Sequence, residues 1–243
     1  MSAVKEPYYF SDHYKSDPFP KDLAAYLSLF VSGRQARWRG EASTAYFWDP
    51  SSAARIKEAS PDARILISLR NPADRAYSEH LKDVRTGEER RDLLSAIREE
   101  IALGPRREGR LNILASGFYA DALERYLRVF AESVHVLFFE ELAEDPRREL
   151  RTIFDFLGID PEVADELEIT ISNRSYVPRR GARRILGSSV RRALPEGVKS
   201  RLDRVLLRRS RPVLHPEVRE LLDEVYAGER ERLRELLQRE LPW

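Results

Sequence analysis

Two short aliphatic runs limit what this chain can fold into. "RILISL" (64–69) and "VHVLFF" (134–139) are almost continuously apolar, and neither alternates. A strand with one wet face alternates apolar and polar residues. A strand covered on both faces does not, which is the habit of parallel sheets. Between the runs, apolar spacing predicts three helices, roughly 72–86, 92–103 and 116–131. Strand, helices and strand again predict an α/β class, a parallel sheet flanked by helices. The 243 residues suit a single domain, 1–243, and 42% hydrophobic residues can fill its core.

The remaining elements follow from local signals. "PKDLAAYLSLFV" (20–31) has Leu23, Tyr26, Leu27 and Phe30 on one helical face. "WRGEAS" (38–43) fits a short strand or a loop. "DPSSAARIKEAS" (49–60) predicts a helix with Asp49 as N-cap and Pro50 at its first position. Residues 145–158 and 160–167 predict two more helices. A long C-terminal helix is expected over 213–240, with Leu221, Leu222 and Val225 inward.

Composition removes several kinds of chemistry. There is no cysteine, which excludes disulfides, thiolate nucleophiles and Cys-ligated metals. His13, His80, His135 and His215 lack metal-ligand spacing, so no metal is expected. Net charge is +1, so no overall field points to nucleic acid. The start, "MSAVKEPYYFSDHY", has no apolar stretch of the secretory kind, and no run of about 18 apolar residues occurs. The expectation is a soluble cytoplasmic protein.

The end of the first run carries the most chemistry. In "ISLRNPADRAYSEHL" (67–81), Arg70 closes the strand, Asn71 is a good N-cap, Pro72 fits the first helical position and Asp74 falls at N3. Ligands of open α/β sheets bind outside the carboxyl ends of strands. Free N–H groups at a helix start favour an anion, Arg70 can donate two hydrogen bonds to a phosphate, and Ser78 can add a hydroxyl. Two readings stand on this pattern: an anion site, or an ordinary turn whose Arg70 pairs with Asp74 or a glutamate.

"LRNPADRAYSEH" resembles the 3′-phosphate-binding motif of sulfotransferases that use 3′-phosphoadenosine 5′-phosphosulfate (PAPS). In that resemblance Arg70 and Ser78 hold the 3′-phosphate. "KEPYYFSDHY" (5–14) is similar to a segment of the heparan-sulfate-like carbohydrate branch, where Glu6 maps to the catalytic base. "GEASTAYFWDP" (40–50) resembles a Glu-Lys-Thr-Pro-x-Tyr region, with Ala42 where the family has lysine. "SGFYADALERYLRVF" (116–130) and "LFFEELAEDPRRELRTIFDFLGI" (137–159) are similar to family segments, as is the terminal "RPVLHPEVRELLDEVYAGERERLRELL" to that of bacterial members. "NRSYVPRRG" (173–181) lies where the family closes a basic loop over the 3′-phosphate, so Arg179 and Arg180 are candidate phosphate contacts.

The resemblance implies sulfonate transfer from PAPS to a hydroxyl acceptor, on a small molecule, a glycan or a glycolipid, without a metal. The acceptor must lose a proton, which Glu6 can take. The departing phosphate needs a cation; Lys5 is the candidate in this chain. His13 and Tyr119 are candidate acceptor contacts. The implied fold is the P-loop-NTPase-like sulfotransferase fold, lacking its first strand and phosphosulfate-binding loop. A Lys-x-Gly-Thr-Thr loop belongs upstream of "KEPYYF", and no Gly-Thr-Thr run occurs in the chain. Two accounts of this departure stand. Met1 is an internal methionine of a truncated sequence, or the chain is a natural non-catalytic remnant that binds nucleotide or glycan.

Residues 174–211 carry thirteen arginines and lysines against two acids, Glu196 and Asp203. Val198, Leu202, Val205 and Leu206 fall at helical spacing there. A basic amphipathic helix can lie on anionic lipid, which would make the protein peripheral at a membrane. It can equally turn its apolar side to the core and its arginines to water. No nucleic-acid motif or aromatic platform accompanies the charge.

Overall fold

The computed structural model describes residues 1–12, 19–86, 88–104, 113–170, 176–178, 195, 197–198, 201, 205–209 and 213–243. The chain groups into two compact units. The first comprises Met1–Ser68, Ala120–Leu137 and Ile153–Ile159; the second comprises Leu69–Tyr119, Phe138–Thr152 and Asp160–Trp243.

The elements in chain order are helices α1 (Leu23–Ser28), α2 (Ala45–Trp48) and α3 (Ser52–Ala59), strand β1 (Ile65–Leu69), and helices α4 (Pro72–Thr86), α5 (Leu93–Leu103) and α6 (Ala120–Phe130). Strand β2 (Val134–Phe138) then leads into α7 (Phe139–Glu144), α8 (Pro146–Leu157) and α9 (Val163–Glu166). Strands β3 (Tyr176–Pro178) and β4 (Leu207–Arg209) precede α10 (Pro216–Val225) and α11 (Ala227–Leu237). β1 pairs with β2, so the two aliphatic runs do meet in one sheet, across the helical crossover expected between them. β3 and β4 form a separate antiparallel pair, with Val177 opposite Arg208.

The first unit is organised by aromatic rings. Tyr126 and Phe130 of α6 stack on each other and are 2% and 3% exposed. The Tyr126 hydroxyl donates to the Tyr46 carbonyl at 2.8 Å, tying α6 to α2. The end of α8 is held by side chains. Arg37 donates to the Gly158 carbonyl at 2.5 Å, the Trp38 indole donates to the Leu157 carbonyl at 2.8 Å, and Arg64 donates to the Phe156 carbonyl. These are carbonyls that a helix C-terminus leaves without internal partners. Gly158 has φ +64°, the left-handed conformation that glycine supplies at this position. So 38–43 is irregular and forms no strand; its tryptophan serves as a cap.

The second unit packs α4, α5 and α10 around Ala76, Ile97, Leu114, Leu222 and Tyr226. Tyr226 is fully buried, its ring lies beside Phe118 at 5.1 Å, and its hydroxyl donates to the Leu114 carbonyl at 2.9 Å.

Four local expectations shift. The 49–60 helix starts at Ser52 and its N-cap is Ser51, not Asp49: Asp49 is extended (ψ 119°) and its carboxylate accepts from the Ser51 N–H at 2.8 Å, ahead of the helix. In α1, Leu23 and Leu27 are 46% and 49% exposed, and the helix packs through Tyr26 alone, stacked on Tyr9. The second aliphatic run yields its last residue, Phe139, to α7, which periodicity did not reveal. The C-terminal helix is two helices, since Tyr226 leaves helical geometry (φ −98°, ψ 7°) as its side chain enters the core. Leu222 is the buried member of the expected inner face, with Leu221 and Val225 packed against the core. Most of the basic stretch 174–211 lies outside the described residues.

Candidate functional site

The turn from β1 into α4 belongs to the second unit. Asn71 caps α4 as expected: its Oδ1 accepts from the N–H groups of Ala73 at 3.0 Å and Asp74 at 3.3 Å. The reciprocal half of the capping box is made differently. Asp74 pairs with Arg219 of α10, and the Asn71 N–H donates to Oε1 of Glu140, in α7, at 2.9 Å. Pro72 has no N–H, and the Arg75 N–H returns to the Asn71 carbonyl. The first turn of α4 is therefore internally satisfied. The expectation of free N–H groups for an anion at this helix start is corrected: an anion here must be held by side chains.

Two side chains remain for it. Arg70 lies with its guanidinium carbon 4.8 Å from the Phe139 ring centroid, and its Nε is buried without a hydrogen-bond partner among the described residues. No described carboxylate pairs with it, so the ordinary-turn reading, with Arg70 bridged to Asp74 or a glutamate, does not hold among these residues. Ser78 is exposed on α4, seven residues beyond Asn71 and three beyond Arg75, on the same helical face. Arg75 is committed elsewhere, donating to Ser116 Oγ at 2.6 Å.

Tyr119, a candidate acceptor contact, is 3% exposed and donates its hydroxyl to the Arg70 carbonyl at 3.0 Å. Burial pushes its phenol well above the ordinary range, Arg75 and Arg70 opposing and Glu140 adding to the shift, so the group stays a donor.

Glu6 and Lys5 belong to the first unit. Lys5 is exposed. Glu6 adopts φ +51°, and its Oε1 accepts from the Thr44 hydroxyl at 3.1 Å. Tyr8 also lies at φ +50°. Left-handed backbone at two nonglycine residues this close needs outside support, and a polar network supplies it. The Tyr8 N–H donates to Ser43 Oγ at 3.2 Å and the Phe10 N–H to the Tyr46 hydroxyl at 3.3 Å. Both hydroxyls in turn donate to Glu41, from Ser43 at 2.6 Å and from Tyr46 at 2.7 Å, and Tyr26 adds a third bond at 3.3 Å. Burial raises the Glu41 carboxyl above its usual range, with the bonds from Ser43, Tyr46 and Tyr26 opposing. Just beyond, Asp49 accepts from Ser11 Oγ at 2.8 Å and the Asp12 N–H at 2.6 Å, holding the following turn.

The structure thus brings Arg70 and Tyr119 together and sets Ser78 on the helix that follows Arg70. It places Glu6 and Lys5 in the other unit. His13, Arg179 and Arg180 lie outside the described residues. A groove lined by Arg151, Pro161, Glu162, Asp165 and Glu166 contains none of the expected site residues. Among the described residues no group of three or more His, Asp or Glu side chains is placed to hold a metal. Sequence reading missed Glu140, Phe139 and Glu41 as supports. Glu41 stood in a quoted motif; Glu140 is one of many glutamates, and only the fold singles it out.

The family model described as "Sulfotransferase domain" matches residues 50–237. Heparan sulfate glucosamine 3-O-sulfotransferase 6 of Homo sapiens is 32% identical over 165 residues, 66% of this chain and 45% of the relative. Bifunctional heparan sulfate N-deacetylase/N-sulfotransferase 1 of Mus musculus is 31% identical over 153 residues, 60% of this chain and 17% of the relative. The chain spans less than half the length of these relatives. The crystal structure of a sulfotransferase from Alicyclobacillus acidocaldarius superposes with a TM-score of 0.69 at 30% identity, covering 99% of this chain and 85% of that one. The shared architecture is α/β, with helices flanking a parallel sheet.

Proposed function

This chain belongs to the sulfotransferase domain family, and on that premise we propose that it binds PAPS and serves sulfonate transfer to a glycan hydroxyl. The observation that carries the nucleotide half is Arg70. A buried guanidinium nitrogen without a partner is costly, and an anion bound beside it removes that cost. The Phe139 face beneath it favours a cation and holds the guanidinium plane in place. Arg70 and Ser78 hold the 3′-phosphate, with Arg179 and Arg180 as further contacts. The donor, when bound, supplies a sulfonate on a phosphosulfate anhydride.

Glu6 is the general base. It takes the acceptor's hydroxyl proton as the new oxygen–sulfur bond forms and the bond from sulfur to the bridging phosphate oxygen breaks, leaving 3′-phosphoadenosine 5′-phosphate (PAP). Lys5 offsets charge on the departing phosphate. The strain at Glu6 supports this role: left-handed backbone at a nonglycine residue costs about 1–2 kcal/mol and persists mainly where surrounding structure holds it for a purpose. The relatives named for heparan sulfate point to a glycan as the acceptor class, with a hydroxyl or an amine receiving the sulfonate.

Binding is the decisive assay. Calorimetry with PAP against AMP tests the reading. Tighter binding of PAP, lost in Arg70→Ala, supports it; equal affinity for the two nucleotides overturns it. The second reading is a non-catalytic nucleotide- or glycan-binding protein. Binding of PAP with no sulfonate transfer to any glycan hydroxyl or amine would establish that one.

A further inference from the structure

The Arg70 carbonyl and the Asn71 N–H are the two ends of one peptide group. Tyr119 donates to the carbonyl at 3.0 Å, and Glu140 accepts from the N–H at 2.9 Å. Each partner comes from far along the chain, 49 and 69 residues away. Both side chains are committed from inside the protein: Tyr119 is 3% exposed, and the second Glu140 oxygen is buried with no partner among the described residues. Leaving a carboxylate oxygen unsatisfied in the interior is unfavourable, and a neutral acceptor would serve the Asn71 N–H at less cost. Glu140 also follows Phe139, the ring on which Arg70 rests, so one two-residue step of α7 touches both the backbone and the side chain of this turn.

We infer that Tyr119 and Glu140 are positioning residues that clamp the Arg70–Asn71 peptide and thereby aim the Arg70 guanidinium at the 3′-phosphate. The inference rests on the assignment of Arg70 to the nucleotide and deepens it. The peptide plane can rotate only by breaking one of the two bonds. Losing either bond would loosen the strand end from which the Arg70 side chain projects over Phe139. The carboxylate has a second effect: its charge lies beside the start of α4, whose N–H groups Asn71 already satisfies, so a phosphate is repelled from the helix start and left to Arg70 and Ser78. Discrimination between nucleotides with and without the 3′-phosphate is then a property of the clamp as well as of the arginine.

The test is the ratio of AMP to PAP dissociation constants, measured by calorimetry on the full chain for Tyr119→Phe, Glu140→Gln, Arg70→Ala and the two double variants with Arg70→Ala. Thermal melts accompany each. Tyr119→Phe is expected to lower the ratio about three- to tenfold, the range of one buried hydrogen bond. Glu140→Gln keeps an acceptor but gives up the charge that blocks the helix start, and is expected to lower the ratio as well. In the Arg70→Ala background neither change should lower the ratio further, while its cost in melting temperature persists. A purely structural role predicts the reverse, a melting shift with the ratio intact, and that result in both variants overturns the clamp. If Arg70→Ala itself leaves the ratio unchanged, the assignment of Arg70 to the 3′-phosphate fails instead, so the two failures are distinct.

Discussion

Tyr46 donates its hydroxyl to the Glu41 carboxylate at 2.7 Å and receives the Phe10 N–H on the same oxygen at 3.3 Å. One phenol thus joins a half-buried acid to the backbone of the segment that carries Glu6. That junction sets the first prediction. Burial raises the Glu41 carboxyl above its usual value, so the folded state holds this proton more tightly than the unfolded state. Stability from this group is therefore complete below the ordinary glutamate value of about 4.3 and declines as pH rises through the folded value. Glu41→Gln should flatten that part of the stability profile, as read by urea denaturation at a series of pH values; an unchanged slope would contradict it.

Asp49 behaves in the opposite sense. Burial alone would raise its carboxyl, but hydrogen bonds from the Ser51 side chain and N–H, Ser11 and the Asp12 N–H outweigh it and bring it down to about 2. Its contribution, about 2 kcal/mol, is present above the ordinary aspartate value and lost as pH falls through about 2. Asp49→Asn should cost about that much at neutral pH and blunt the acid limb of unfolding. Equal acid sensitivity in variant and parent would refute the assignment.

Gly117 leaves room for a ring. A Cβ there would come within 2.6 Å of the Tyr226 ring and hydroxyl. Tyr226 is fully buried and bonded to Leu114, so it has nowhere to move. Gly117→Ala should destabilise the protein by about 1–3 kcal/mol. Tyr226→Phe in the same chain should not restore it, because the clash includes ring carbons; full recovery would show that the hydroxyl alone was in the way.

The backbone at Glu6 separates strain from chemistry. At φ +51°, glycine is the better fit, so Glu6→Gly should be more stable than Glu6→Ala by about 1 kcal/mol. Both should lose sulfonate transfer, and neither should change PAP affinity. A glycine variant no more stable than the alanine variant would mean that the conformation costs nothing.

How much of this was readable beforehand depended on the range of the forces involved. β1, β2 and the run of helices between them were legible because unbroken apolar runs and 3.6-residue periodicity leave marks within a dozen residues, although β1 buries only Ile67 and Leu69 and leaves Leu66 exposed, so the expected cover on both faces does not hold for it. Asn71 as a cap was legible for the same reason. Its capping-box partner was not: Asp74 sits at the right spacing but is drawn away by Arg219, 145 residues later, and Glu140 takes its place. Arg70 could be picked out as a strand-end cation, yet nothing local shows that its Nε is buried or that Phe139 lies beneath it. Tyr119 is the instructive case. The resemblance makes it a candidate acceptor contact, whereas its hydroxyl is spent on the backbone of Arg70, a partner chosen by tertiary packing. The Glu41 network likewise draws on residues from three separate stretches, and only the motif around Ala42 hinted at it.

Tyr226 reaches back 112 residues to Leu114 and closes over Gly117. Synthesis proceeds from the other end, so this contact is among the last to become available. Until it forms, the hollow beside Gly117 lacks the ring that fills it, and Ile97 and Leu114 have lost a neighbour in their apolar cluster. A ribosome stalled before α10 would hold out a half-built unit with greasy residues exposed, a natural target for chaperones and for proteases that patrol nascent chains.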